Sequence, residues 1–332
     1  MRIGLVGVGR IGQFHASTVK SLPEVEAVVL ADLDAELAAS VAAGLGVQAA
    51  SGVPEMLGQV DGVVITSGTG SHAPLIRTCV EAGLPTFCEK PIALDLQTNL
   101  DIVDVVEHTD VPVQLGFQRR FDVGYNRAKA ALDAGDLGWL HQVRATTGDQ
   151  APPPAAFIKT SGGFFRDCTV HDADIIRYLT GREFVQVTAL GSNRGADFFA
   201  EAGDCDSVAA LATLDDGTLV TITGTRYNGG GHDVRLELLG SEGSIMVGLD
   251  DNFAMTSAEE GVDFPSGRRH WSFMERFQPA YVTELTAFCD VVAGRRENPC
   301  TARDAMEAFR VAEACDRSRR EGRTVHLEEI AR

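Results

Sequence analysis

Met1-Arg2-Ile3-Gly4-Leu5-Val6-Gly7-Val8-Gly9-Arg10-Ile11-Gly12 opens the chain. Arg2 to Val6 reads as a buried strand, and the run after Gly12 reads as a helix to about Leu22. Between them stands G-x-G-x-x-G in the strand–turn–helix setting that gives the motif its meaning. Gly7 permits the tight turn, Gly9 lets the backbone approach a pyrophosphate, and Gly12 lets helix and strand pack closely. The helix N-terminus, with Arg10 and Ile11 in the turn, offers N–H groups and a positive dipole end to phosphate. Alone, the match is weak evidence, because 35 glycines make chance matches plausible.

The next strand decides the matter. Val25 to Ala31 is apolar and β-branched, and it ends at Asp32, twenty residues after Gly12. A carboxylate there accepts hydrogen bonds from a ribose 2′-OH and repels a 2′-phosphate. Leu33 follows, and no adjacent basic residue would hold a phosphate. The expected cofactor is NAD rather than NADP. The competing role for Asp32 is N-cap of the helix starting near Ala35.

Alternation continues outward. Gly62 to Thr66 reads as a strand, Ser67 to His72 as a loop, and His72 to Ala82 as a helix stopped by Gly83. Pro85 to Cys88 is a strand ending in Glu89-Lys90-Pro91, Asp95 caps a helix to about His108, and Val111 to Phe117 is a further strand. Strand–helix alternation over about 120 residues implies a parallel, doubly wound α/β sheet. Its ligand belongs at the carboxyl ends of the strands. Ser67, His72, Glu89 and Lys90 sit on those ends and are candidate cofactor contacts.

After Phe121 the rhythm changes. Strands follow one another at Leu140–Thr147, Val185–Leu190, Ser207–Leu214, Thr218–Tyr227, Asp233–Leu239 and Ser244–Val247, with Asp215-Asp216-Gly217 as a hairpin signal. Such a run implies an α+β domain with a large, mostly antiparallel sheet. Helices are expected over Asn126–Ala134, Tyr281–Val292 and from Thr301, paired with Asp304 as a capping box, to Glu321. The expected division is residues 1–120 for the cofactor and 121–332 for substrate and oligomerisation.

Composition narrows the class. The chain has 332 residues, 44% of them hydrophobic, and a formal net charge of −18. Nucleic acid and anionic membranes repel an acidic surface, so neither is an expected partner. Seven scattered cysteines without C-x-x-C suggest neither a metal knuckle nor a disulfide framework, so a cytoplasmic setting with reduced thiols is expected. No apolar run approaches a membrane span, and Met1-Arg2 leads into a segment too short and glycine-broken for a secretory signal.

Two further stretches carry chemistry. In Gly162-Gly163-Phe164-Phe165-Arg166-Asp167-Cys168-Thr169-Val170-His171-Asp172-Ala173-Asp174, Val170, Ala173, Ile176 and Leu179 recur at helical spacing and face a core. Asp167, His171 and Asp174 then share another face. A carboxylate one turn from an imidazole suits proton transfer near neutral pH. Taken alone, the stretch also fits a solvated polar face. Lys90, beside the expected nicotinamide, can hydrogen-bond a hydroxyl oxygen and favour its deprotonation. Pro91 can adopt a cis peptide.

Glu89-Lys90-Pro91, the glycine fingerprint and Gly162-Gly163 through His171-Asp172 together resemble the GFO/IDH/MocA oxidoreductases, within them most closely the inositol 2-dehydrogenases. The resemblance spans essentially the whole chain, including Phe117-Gln118-Arg119-Arg120-Phe121-Asp122 and Met274-Glu275-Arg276-Phe277. It implies a Rossmann domain, then an α+β domain whose open sheet packs subunits into homodimers or homotetramers. It also implies a catalytic set falling on Lys90, Asp167 and His171. The implied reaction is oxidation of a ring hydroxyl of a cyclic polyol, myo-inositol above all, with His171 as general base, Asp167 orienting it and Lys90 polarising the oxygen. Asp149 and Asp174 are candidate substrate contacts.

One departure bears on the substrate. Family inositol dehydrogenases often carry a tyrosine before Asp-Gln-Arg; here Gly229-Gly230-Gly231 leads into His232-Asp233-Val234-Arg235. His232, or Tyr227 from a shifted position, is the expected contact, and another inositol isomer or a pyranose is the alternative substrate. A metal site built from Asp167, His171, Asp172 and Asp174 leaves the fingerprint unexplained, so no metal is expected. A non-catalytic NAD sensor on the same fold is the remaining rival. Such a protein could dispense with Lys90, Asp167 and His171.

Overall fold

The computed structural model describes residues 1–331. The chain starts as strand β1 (Arg2–Val6), helix α1 (Arg10–Ser21), β2 (Ala27–Ala31), α2 (Ala35–Leu45), β3 (Gln48–Ala49) and α3 (Val53–Leu57). It continues through β4 (Gly62–Ile65), α4 (His72–Glu81), β5 (Thr86–Glu89), α5 (Leu96–Glu107) and β6 (Val113–Gly116). These strands form one parallel sheet in the order β3-β2-β1-β4-β5-β6. That order reverses direction between β1 and β4, where an open α/β sheet receives its ligand. Ile3, Leu5, Leu30, Val64 and Phe87 are fully buried, as expected of strands covered on both faces. Asp95 caps α5, its Oδ1 accepting from Thr98 N–H at 2.8 Å. β3 and α3 escaped the sequence because they are too short to show a period.

The second half holds α6 (Val123–Ala134), β7 (Leu140–Gly148), α7 (Ala155–Ile158), α8 (Val170–Thr180), β8 (Phe184–Ser192), α9 (Phe198–Glu201), β9 (Ser207–Leu214), β10 (Leu219–Thr225), β11 (Asp233–Gly240) and β12 (Ser244–Val247). Helices α10 (Phe273–Arg276), α11 (Gln278–Val292) and α12 (Ala302–Glu321) follow, then β13 (Val325–His326). The seven-stranded sheet runs β12-β11-β7-β10-β9-β8-β13. It is antiparallel except where β7 pairs with β10 in parallel. The long segment between β7 and β10 permits that crossover, which a list of successive strands cannot reveal. β9 alternates buried Val208, Ala210, Ala212 and Leu214 with more exposed residues, the signature of a one-sided sheet. Gly217, at φ 89°, turns the β9–β10 hairpin.

Two compact units divide the chain: Met1–Phe121 with Pro279–Met306, and Asp122–Gln278 with Glu307 onward. The sequence placed everything after residue 120 in one domain; the structure returns Pro279–Met306 to the first unit. The cause is apolar packing, since Leu285, Phe288 and Cys289 of α11 join Ile3, Leu5, Val64 and Phe87 in one core. Thr301 and Asp304 form the expected reciprocal cap at the start of α12. No helix among the described residues is long and apolar enough to cross a membrane.

Candidate active site

The glycine turn in the first unit is shaped by contact. Gly7 has φ 94°, and a Cβ there would meet Ser67 Cα at 2.4 Å. A Cβ on Gly12 would meet the Gly7 oxygen at 1.9 Å, so α1 can lie this close only with glycine. Gly9 differs: a Cβ there would meet nothing within 4 Å. It is the N-cap of α1 and gives the first-turn N–H groups no side-chain acceptor. Arg10 is exposed and Ile11 half-buried. Asp32 Oδ2 accepts from Val8 N–H at 2.7 Å and Oδ1 from Asp34 N–H at 3.0 Å. The N-cap role considered for Asp32 belongs to Asp34, whose Oδ1 accepts from Leu37 N–H at 3.0 Å.

The loops after β4 and β5 are braced together. His72 is buried, with Nδ1 2.7 Å from the Pro91 carbonyl oxygen and Nε2 2.9 Å from that of Ser67. The ring thus lies between two backbone carbonyls, its N–H donating to one of them, and His72 braces the two loops against each other. Ser67 is half-buried and shares a 2.6 Å hydroxyl contact with Ser71. Glu89 Oε1 lies 2.6 Å from Nε2 of His15, whose ring is fully buried against Phe87 and Tyr281. Lys90 is half-buried, and the Lys90–Pro91 peptide is cis.

The second unit holds the carboxylates. Gly162 and Gly163, at φ 83° and 91°, require glycine and lead into Phe164, whose N–H donates to Asp204 Oδ1 at 2.9 Å. Phe165–Thr169 is a π-helical turn, and regular α-helix begins only at Val170. The sequence treated the whole stretch as α-helix. A π turn widens the hydrogen-bond ring to i→i+5, so uniform i, i+4 spacing does not describe the step from Asp167 to His171. Single π turns recur at functional sites. Val170, Ala173, Ile176 and Leu179 are buried as expected. Asp174 is 0% exposed, which contradicts a solvated face. Asp172 is buried too, accepting from Thr147 Oγ1 at 2.9 Å. His171 is half-buried on α8.

Arg226 organises the rest, and sequence reasoning passed over it. Its Nη2 donates to Asp167 Oδ2 at 2.6 Å and its Nη1 to Asp149 Oδ2 at 2.8 Å. His232 Nδ1 stands 3.6 Å from Asp149 Oδ1, an ion-pair distance. His232 is 6% exposed, and its Nε2 is buried without a partner among the described residues. Burial pushes the Asp149 carboxyl up, but His232 and the Arg226 charge outweigh it and hold Asp149 below the usual carboxylate range. Burial opposes the Arg226 charge, yet Cys168, Asp167 and Asp149 together hold its proton more firmly than usual. Asp149, Asp167 and His232, far apart in sequence, are therefore one cluster. Tyr227 is turned to other work: its hydroxyl accepts from Ala196 N–H at 3.0 Å, and its ring fills the space beside Gly195.

Residues 1–117 match the model described as oxidoreductase family, NAD-binding Rossmann fold, and residues 125–246 match the GFO/IDH/MocA C-terminal domain. The chain is 36% identical to the myo-inositol dehydrogenase Hyg17 of Streptomyces leeuwenhoekii, over 97% of this chain and 98% of that one. It is 35% identical to a scyllo-inositol 2-dehydrogenase (NAD(+)) of Bacillus subtilis, over 99% and 96% of the two chains. The chain belongs to the GFO/IDH/MocA oxidoreductase family. Among solved structures, the scyllo-inositol dehydrogenase of Lactobacillus casei with bound NAD(H) and scyllo-inositol superposes with a TM-score of 0.87. Its identity to this chain is 29%, with 99% of each covered.

The GFO/IDH/MocA fold carries NAD, and the first unit fits that cofactor on its own geometry. Gly9 leaves room beside the uncapped start of α1, where pyrophosphate is favoured by N–H groups and helix dipole. Asp32 closes β2 with both oxygens held by backbone N–H groups, placing a fixed negative charge where a 2′-phosphate is repelled. One signal for Arg226 was present in the sequence. Val220 and Ile222 are the buried residues of β10, and period-two alternation carries their face through Gly224 to Arg226. A charge on a core face is rarely idle.

Proposed function

We propose that this chain is an NAD-dependent dehydrogenase that oxidises a ring secondary hydroxyl of a cyclic polyol, myo-inositol to 2-keto-myo-inositol. The observation that carries the reading is likeness to inositol dehydrogenases over nearly the whole chain, in a sequence that also holds Lys90, Asp167 and His171. A sensor on the same fold has no need of those three side chains. When bound, NAD supplies the nicotinamide carbon that accepts a hydride.

Each protein group has a separate task. His171 accepts the hydroxyl proton on its imidazole as general base. Asp167 orients that imidazole and offsets the positive charge it gains. Lys90 donates to the reacting oxygen and favours its deprotonated form. Asp149 and His232 contact neighbouring ring hydroxyls, and the buried Nε2 of His232, without a partner among the described residues, supports that assignment. Once the carbon has lost its hydride, the carbonyl is complete and the proton rests on His171. The relatives that act on scyllo-inositol favour that isomer as the second reading.

We further propose a homodimer or homotetramer. The outward sheet positions Val185, Leu190, Leu211 and Leu219 are exposed, and such apolar surface favours association. Seven buried, unbridged cysteines suit the reducing cytoplasm. The test of function is NADH formation with myo-inositol, scyllo-inositol, D-chiro-inositol and glucose, each at saturating NAD. Turnover of one inositol above the rest is expected. Tight NAD binding with no turnover of any of them favours the sensor.

A further inference from the structure

Arg226 is 2% exposed, and its guanidinium lies 4.8 Å above the centre of the Phe164 ring. The ring is seated because residue 224 is glycine: a Cβ there would meet Phe164 Cε1 at 2.6 Å. Phe164 is fixed in turn by its N–H bond to Asp204. The guanidinium is therefore clamped by a stack on one side and two carboxylates on the other. Charged and titratable groups around it include Asp149, Asp167 and the Cys168 thiol, with His232 beyond Asp149. Asp206 meets it only through the backbone, its carbonyl accepting from Arg226 N–H at 2.7 Å.

We infer that Arg226 is a positioning residue for the dehydrogenase reaction, locking the carboxylates of Asp167 and Asp149 in one rigid fork. The inference rests on the function proposed above. It assigns no contact with substrate to Arg226, whose two terminal nitrogens already bond Asp167 and Asp149. The planar fork matters more than the charge. Two carboxylates brought this close repel each other, and only a rigid cation with several donors can hold both at fixed angles. A lysine supplies the charge but not the geometry. The orienting task proposed above for Asp167 requires its own rotamer to be fixed, so loss of the fork should appear in turnover rather than in NAD binding. Because one cation serves both carboxylates, the acid that serves the base and the acid assigned to substrate are mechanically linked.

The test is a double-mutant cycle on turnover of the inositol that the wild type prefers, with NAD affinity and melting temperature measured in parallel. Arg226→Ala is expected to lower kcat by about tenfold to a hundredfold, the range of coupling between directly bonded residues. NAD affinity should stay unchanged, and added guanidinium ion should restore part of the rate. Arg226→Lys should recover less than half of the loss. Arg226→Ala combined with Asp167→Asn should lose less than the product of the two single losses, because the arginine acts in part through that carboxylate. If Arg226→Ala does not fold, Arg226→Lys carries the same cycle. Full additivity of the two substitutions, or a raised KM with kcat intact, overturns the inference. A wild type that binds NAD and turns over no polyol sinks the dehydrogenase reading itself, and this inference with it.

Discussion

The Val8 N–H donates to Oδ2 of Asp32 at 2.7 Å, tying the carboxylate that closes β2 to the turn that closes β1. The bond fixes Asp32 at the ribose end of the expected dinucleotide path, where its charge selects against a 2′-phosphate. Asp32→Ala should therefore lower the preference for NAD over NADP by at least about tenfold, the value of one charge-assisted hydrogen bond. The ratio of kcat/KM for the two cofactors reads this directly. An unchanged ratio would count against Asp32 as the selecting residue.

Gly9 and Gly12 should fail in different ways. Gly12→Ala drives a methyl into the Gly7 oxygen and should cost about 1–3 kcal/mol of stability, the range for overpacking. Gly9→Ala meets no protein atom within 4 Å. Its melting temperature should match the wild type while NAD affinity collapses, because the methyl occupies the side from which pyrophosphate approaches. Calorimetric titration beside thermal melts separates the two. A Gly9→Ala protein that binds NAD normally would show that the cofactor does not cross this turn.

Lys90→Ala and His171→Ala test the catalytic assignment. Each should lower kcat by about 10²–10⁴, the range for removing a general acid–base partner. NAD affinity should remain within about twofold, since neither role lies in binding the dinucleotide. Loss of NAD binding with turnover of the bound fraction intact would mean their task had been misplaced.

The Asp149 carboxyl is pushed up by burial and held down more strongly by His232 and Arg226, for a net lowering. A carboxyl that is more acidic folded than unfolded contributes stability above its unfolded value, about pH 4. That contribution disappears as pH falls through the lower folded value. Asp149→Asn should thus be less stable than wild type at neutral pH, by about 1–3 kcal/mol, and the gap should close below about pH 4. Paired melts from neutral to strongly acidic pH follow the gap. A constant difference across that range would remove Asp149 from the ion-pair network.

Much of the fold was legible because local signals agreed. The glycine turn, Asp32 at the end of β2, the Asp95 cap and the Thr301–Asp304 box each state in a few residues what the backbone does. The failures are non-local. Nothing in Phe165–Thr169 announces a π turn, since the apolar period resumes at Val170 as if uninterrupted. The return of α11 to the first unit depends on which core its apolar face joins, and periodicity shows only that a face exists. Asp167, Asp149 and His232 could each be named as candidates, but not their meeting, because the residue that joins Asp167 to Asp149 is Arg226. The bracing position of His72 between the Ser67 and Pro91 carbonyls is equally non-local, since it joins loops 19 residues apart.

Everything depends on a hydrogen moving from a ring carbon to the nicotinamide. The most direct measurement supplies myo-inositol carrying deuterium at the carbon to be oxidised and follows the label by mass spectrometry of the nicotinamide product. Deuterium in the NADH, with a slowed first turnover, is the expected result. No reduced cofactor, or NADH formed without the label, would contradict the account.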